Sequence, residues 1–156
     1  MVRSLVRFWR QLWFILAVEV IPRKVRLGIM GNEVHYKDLK EWHVRYFTPK
    51  EIACKGTGKI VVDDYALRCL DMLRDVIGEP FSPNSAYRSA QHNKAVGGAK
   101  NSYHRKGMAF DIPIKGRMTR EEIHRVAGMV GFRGVGDYDT FVHLDTGTER
   151  SWDKRS

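Results

Sequence analysis

Cysteine is almost missing from this chain: two in 156 residues, Cys54 and Cys69, with no CxxC pair. That excludes a thiolate zinc knuckle. A disulfide between the two is not indicated, and the chain is long enough to bury a core without one. Long apolar runs are missing too. The best stretch, Leu12–Val18, stops at Glu19 and falls well short of the roughly 20 residues a membrane-spanning helix needs. No internal repeat or low-complexity tract is present. Acidic residues are in deficit, with 18 Asp+Glu against 27 Lys+Arg, a net charge of +9.

The charge is unevenly spread. Residues 1–50 hold ten Lys/Arg and four Asp/Glu, which is +6 of the +9. A basic chain favours polyanionic surroundings: nucleic acid, anionic lipid or an anionic cell wall. Nucleic acid is the weakest of these readings, because the basic residues lack an aromatic-interleaved platform and a reader motif.

Residues 1–21 read as a basic helix, with apolar residues on most faces and Arg3, Arg7 and Arg10 preceding the apolar stretch. Such a helix docks on a partner protein, a membrane surface or its own domain. It also resembles a signal segment, although no small-residue cleavage site follows. Residues 22–46 read as a linker, and 47–156 as the compact domain. Thr48-Pro49-Lys50-Glu51 is a capping box with proline at the first helical position, opening a short helix that stops at Gly56. Asp63 or Asp64 starts the strongest helix, with Ala66, Leu70, Leu73 and Ile77 on one face and Gly78 at its end. Phe81–Arg88 reads as extended and Ser89–Ala95 as a short helix. Met108–Ile114 reads as a strand. Thr119-Arg120-Glu121-Glu122 opens a helix running to about Met129. Val135–Asp137 and Phe141–Asp145 read as two antiparallel strands. Without a regular βαβ rhythm, the expected class is α+β with a small antiparallel sheet and flanking helices.

The chemistry concentrates in two motifs, Ser102-Tyr103-His104-Arg105-Lys106-Gly107-Met108-Ala109-Phe110-Asp111 and Phe141-Val142-His143-Leu144-Asp145. Alternate residues of a strand share a face, so His143 and Asp145 point one way and Val142 and Leu144 the other. Gly107 lets the chain turn between His104 and Asp111. A His–Asp–His set matches zinc, and three protein ligands leave the open position of a catalytic site. By spacing alone, a buried His–Asp hydrogen-bonded pair is the other reading. His35, His43 and His124 read as surface residues.

Several segments carry a family resemblance: Phe47-Thr48-Pro49-Lys50-Glu51, Ser85-Ala86-Tyr87-Arg88-Ser89, His92-Asn93 with Val96-Gly97-Gly98-Ala99, the SxHxxGxAxD motif at 102–111, and Phe141–Asp145 followed by Arg150 and Trp152. In this order they resemble the zinc D-Ala-D-Ala carboxypeptidases and L-alanyl-D-glutamate endopeptidases of phage and bacterial wall hydrolases. The resemblance implies a hedgehog/D-Ala-D-Ala-peptidase-like fold and one zinc ion on His104, Asp111 and His143. It implies a peptidoglycan peptide as substrate, anchored by Arg88 with Tyr87 and Ser102 nearby. It also implies action at the bacterial wall, in the periplasm or outside the cell, by a host enzyme or a phage endolysin. Many relatives carry a general-base carboxylate three residues before the last histidine, or a histidine two before it. Those places are Thr140 and Phe141 here, so the expected base is Asp145, with Asp139 as second choice. The other reading of Asp145 is orientation of a histidine ligand. If neither carboxylate acts as base, the fold binds wall peptides, or serves as a phage structural protein, without cleaving them.

Overall fold

The computed structural model describes residues 32–156. The helix expected over 1–21 and the first part of the expected linker lie outside them. Within residues 32–46, however, the chain packs on the domain. Strand β1 (Val34–His35) pairs antiparallel with β2 (Lys59–Ile60). Leu39, Trp42, Val44 and Tyr46 lean on the core. The Trp42 indole N–H donates to the Phe47 carbonyl at 2.6 Å. The apolar residues in this stretch explain why it is held down: each covers core surface that would otherwise face water.

Helix α1 (Pro49–Ile52) is opened by the Thr48–Glu51 capping box and stops before Ala53, four residues short of Gly56. Helix α2 (Asp64–Ile77) has Asp63 as N-cap and Gly78 as a left-handed C-cap. Helix α3 (Ala90–Ala95) is capped by Ser89. Helix α4 (Arg120–Val130) is capped by Thr119 and closed by Gly131. Phe81–Arg88 forms no strand; it crosses the sheet edge with one bridge, Ser85 to Asp111.

The main sheet contains β3 (Ala109–Pro113), β4 (Gly134–Asp137), β5 (Phe141–Asp145) and β6 (Arg150–Asp153), in the order β3-β5-β4-β6. The β3–β5 and β5–β4 pairs are antiparallel as expected. The β4–β6 pair is parallel, so the sheet is mixed, and β6 is an element the sequence pattern does not announce. The class is α+β. Strand alternation divides the sheet cleanly. Phe110, Ile112, Val142 and Leu144 join Leu70, Leu73, Ile123, Val126 and Val130 of α2 and α4 in one core. Asp111, His143 and Asp145 occupy the opposite face. Among the described residues, no helix is long and apolar enough to cross a membrane.

Candidate metal centre

Three elements converge on the site. A 3-10 turn at Tyr103–Lys106 carries His104. The Ser102 hydroxyl caps it by accepting from the His104 N–H at 3.3 Å, and Gly107 at φ 69° returns the chain to β3. A side chain at 107 would be strained in that left-handed conformation and would strike the Val61 carbonyl. Strand β3 then presents Asp111 directly opposite His143 of β5. All three side chains are buried: His104 is 2%, Asp111 5% and His143 9% exposed.

The ligand atoms form a tight triangle. His104 Nε2 lies 3.1 Å from Asp111 Oδ1 and 3.2 Å from His143 Nδ1, and His143 Nδ1 lies 2.9 Å from Asp111 Oδ1. The outer ring nitrogens decide what these atoms are. His104 Nδ1 sits 2.6 Å from the Ala86 carbonyl, and His143 Nε2 sits 3.0 Å from Asp145 Oδ2. A carbonyl and a carboxylate can only accept, so each outer nitrogen carries its proton. A neutral histidine then has a bare lone pair on its inner nitrogen. Two imidazole lone pairs and one carboxylate oxygen thus face one another with no donor among them, an arrangement that calls for a cation. An ion with tetrahedral ligands at about 2.1 Å has ligand–ligand edges of about 3.4 Å. The observed triangle is a few tenths of an ångström tighter. Nitrogen and oxygen donors in this number suit zinc, so the residues present fit the ion.

The same geometry governs proton affinity. For Asp111, burial would raise the pKa, but the His104 and His143 rings that face it, which favour the carboxylate form, outweigh it and hold the carboxyl well below its ordinary value of 3.8. For His143, burial pushes the other way, yet Asp111 and Asp145 together raise it above 6.5. Both shifts say that the triangle attracts positive charge.

Arg88 stands beside the triangle. Its Nη2 donates to Asp111 Oδ2 at 2.6 Å and its Nε to Ser85 Oγ at 2.7 Å, which leaves further N–H groups for a ligand. Tyr87 is placed otherwise than expected. It is 6% exposed, and its hydroxyl donates to Glu33 at 2.6 Å, so it ties the N-terminal strand to the domain instead of meeting a ligand. Ser102 acts on the backbone of His104, as its cap.

The two carboxylates expected as bases are each engaged with other groups. Asp145 is fully buried, behind the His143 ring. Its oxygens take Arg150 Nη1 at 3.1 Å and Nη2 at 2.7 Å, the Gly147 N–H at 2.9 Å and His143 Nε2. Asp139 is exposed at the β4–β5 turn and accepts from the Ser156 N–H and hydroxyl, both at 3.1 Å. Of the residues singled out in sequence, His104, Asp111, His143 and Arg88 come together around one point, and Ser102 caps the turn that carries His104. Asp145 joins from behind, and Asp139 stands apart. Arg150 and Trp152 recur in the family pattern but carried no assigned role. Trp152 lies against His143, with ring centroids 5.2 Å apart.

The segment that carries this site matches known proteins. The family model described as Peptidase M15 matches residues 45–145, well over half of the chain. The peptidoglycan L,D-endopeptidase MepK of Escherichia coli is 40% identical over 81 residues, covering 47% of this chain and 44% of the relative. The probable peptidoglycan L,D-endopeptidase MepK of Haemophilus influenzae is 42% identical over 73 residues, covering 42% of this chain and 39% of the relative. The chain spans less than half the length of these curated relatives.

Proposed function

The chain belongs to the peptidase M15 family, and from that premise we propose that it is a zinc-dependent peptidase acting on the peptide stems or cross-links of bacterial peptidoglycan. The observation that carries the metal reading is the donor-free triangle of His104 Nε2, Asp111 Oδ1 and His143 Nδ1. The names of the relatives support peptidoglycan as substrate class and the bacterial wall as the place of action.

A zinc ion held by these three residues would supply a Lewis acid and a bound water with a pKa near 7. The chain's own groups do the rest. The Ala86 carbonyl fixes His104 in the tautomer that offers Nε2. Asp111 uses one oxygen toward the triangle and the other toward Arg88. Arg88 keeps unspent N–H donors beside the ligand atoms, where they can bind a peptide carboxylate or steady the developing oxyanion.

A second reading rests on Asp145 and Asp139, neither of which is free at the site: a wall-peptide-binding protein on the same fold that holds the ion without turnover. One experiment separates the two. Zinc content and hydrolysis of purified peptidoglycan are measured for the wild type and for His104→Ala. One zinc per chain with released peptides, both lost in the variant, establishes the peptidase. Bound zinc with no release establishes the binding protein. An absence of zinc in the wild type would sink both readings.

A further inference from the structure

Strand β6 lies wholly beyond the residues the family model matches, which end at Asp145, yet two of its side chains reach the back of the metal centre. The register shows how. Across the sheet, Gly134 stands between Asp145 and Arg150, and Gly136 stands between His143 and Trp152. The site-facing positions of β4 are therefore both glycine. A Cβ at 134 would collide with the Asp145 carboxylate, and one at 136 would collide with the Trp152 indole. With those side chains absent, residues of β6 lean across β4 and touch residues of β5.

Arg150 uses this opening to grip Asp145 with both terminal guanidinium nitrogens, Nη1 and Nη2. The arginine is itself held from two sides. Its guanidinium carbon lies 5.0 Å from the Tyr103 ring and 4.9 Å from the Trp152 ring, and its Nη1 also donates to the Thr148 carbonyl at 3.1 Å. A carboxylate as fully buried as Asp145 needs a partner of this kind, because an unpaired buried charge is strongly unfavourable. Gripped by Arg150, it presents Oδ2 to His143 Nε2 at 3.0 Å.

We propose that Arg150 is a positioning residue for the metal centre: acting through Asp145, and with Trp152 against the ring, it holds His143 so that Nδ1 faces the ion. The inference rests on the reading of the triangle as a metal site and deepens it. Strand β6 becomes part of the site, although it supplies no ligand. The guanidinium fork matters as much as its charge, since only a bidentate grip fixes the plane of the Asp145 carboxylate.

The test uses the full chain and the metal alone. Zinc affinity is measured by competition with a chromogenic chelator, and the visible spectrum of the Co²⁺-substituted protein reports ligand geometry. Both are recorded for the wild type, Arg150→Lys, Trp152→Leu and His143→Ala, with circular dichroism confirming the fold. Groups that orient a ligand in this manner change metal affinity about 10- to 100-fold. Arg150→Lys keeps the charge and so the fold, loses the fork, and is expected to weaken zinc by about tenfold with an altered cobalt spectrum. Trp152→Leu is expected to alter the spectrum in the same sense. Folded Arg150→Lys and Trp152→Leu proteins with wild-type affinity and spectrum would overturn the proposal while leaving the metal reading intact. A wild type that binds neither ion, or a His143→Ala variant that binds both as the wild type does, would overturn the metal reading and this inference with it.

Discussion

At the scale of single residues, the site depends on which atom of each side chain is already engaged. His104 and His143 are each pinned on one ring nitrogen, and what they can do with the other follows from that. Arg88 is pinned on two of its N–H groups and free on the rest. Replacing it with Met is expected to lower kcat/KM by about 10²–10³-fold, the cost of losing one donor at a developing oxyanion. Release of peptides from purified peptidoglycan measures this, with zinc content followed in parallel. The two cysteines are controls on burial. Both are free and buried, and burial among apolar groups pushes the Cys69 thiol up to about 12. Cys69 is expected to resist thiol-reactive reagents at pH 8 in the native protein and to react in denaturant. Rapid native labelling at that position, located by peptide mass, would contradict the packing of α2.

At the scale of elements, helix α4 is fastened to the sheet through one carboxylate. Arg120 Nη1 lies 2.7 Å and His124 Nε2 2.8 Å from Asp137 Oδ1, and Arg120 also reaches the Tyr138 carbonyl at 2.7 Å. Burial alone would raise the Asp137 pKa, but Arg120 and His124 outweigh it and hold the carboxyl below its ordinary 3.8. A depressed folded-state pKa contributes stability above the unfolded value, and that stability is lost as pH falls through the folded value. Asp137→Asn is therefore expected to cost about 1.5–3 kcal/mol at neutral pH, the usual worth of hydrogen bonds to a charged group. It is also expected to flatten the loss of stability below about pH 4. Urea unfolding of both proteins between pH 3 and pH 7 measures the two effects together. Equal slopes for wild type and variant would show that the junction adds nothing.

At the scale of the whole molecule, the metal centre joins segments from residue 85 to residue 152, so its occupancy should register in global stability. An ion that binds only the folded state adds about 2.7 kcal/mol when present at 100 times its Kd. Zinc is expected to raise the unfolding temperature of the wild type, a chelator to lower it, and His104→Ala to respond to neither. Differential scanning calorimetry decides the matter.

Much of this molecule is written locally. The capped helices, the turn at Gly107 between His104 and Asp111, and the parity that puts His143 on the face opposite Val142 and Leu144 follow from short-range rules. Spacing alone left a buried His–Asp pair as the other reading, and the ligand set rested on the family resemblance. For Asp145 the sequence left two readings open, general base and orientation of a histidine ligand, and could not choose between them. Strand parity put it on the ligand face, but it could not tell that Arg150 would close over it, since that depends on β6 pairing parallel to β4 across a long connection. Nothing local in the sequence marks the glycines at 134 and 136 as part of the site. Only the register shows that they are openings through which β6 reaches β5. Residues 32–46, part of the 22–46 stretch read as a linker, pack on the domain for a related reason: Trp42 and Tyr46 are partly buried because core surface lies beside them. The sequence by itself determined which side chains are candidates to bind a metal. The tertiary structure decided which of them were free to do so, because pairing, burial and proton position are settled between segments far apart in the chain.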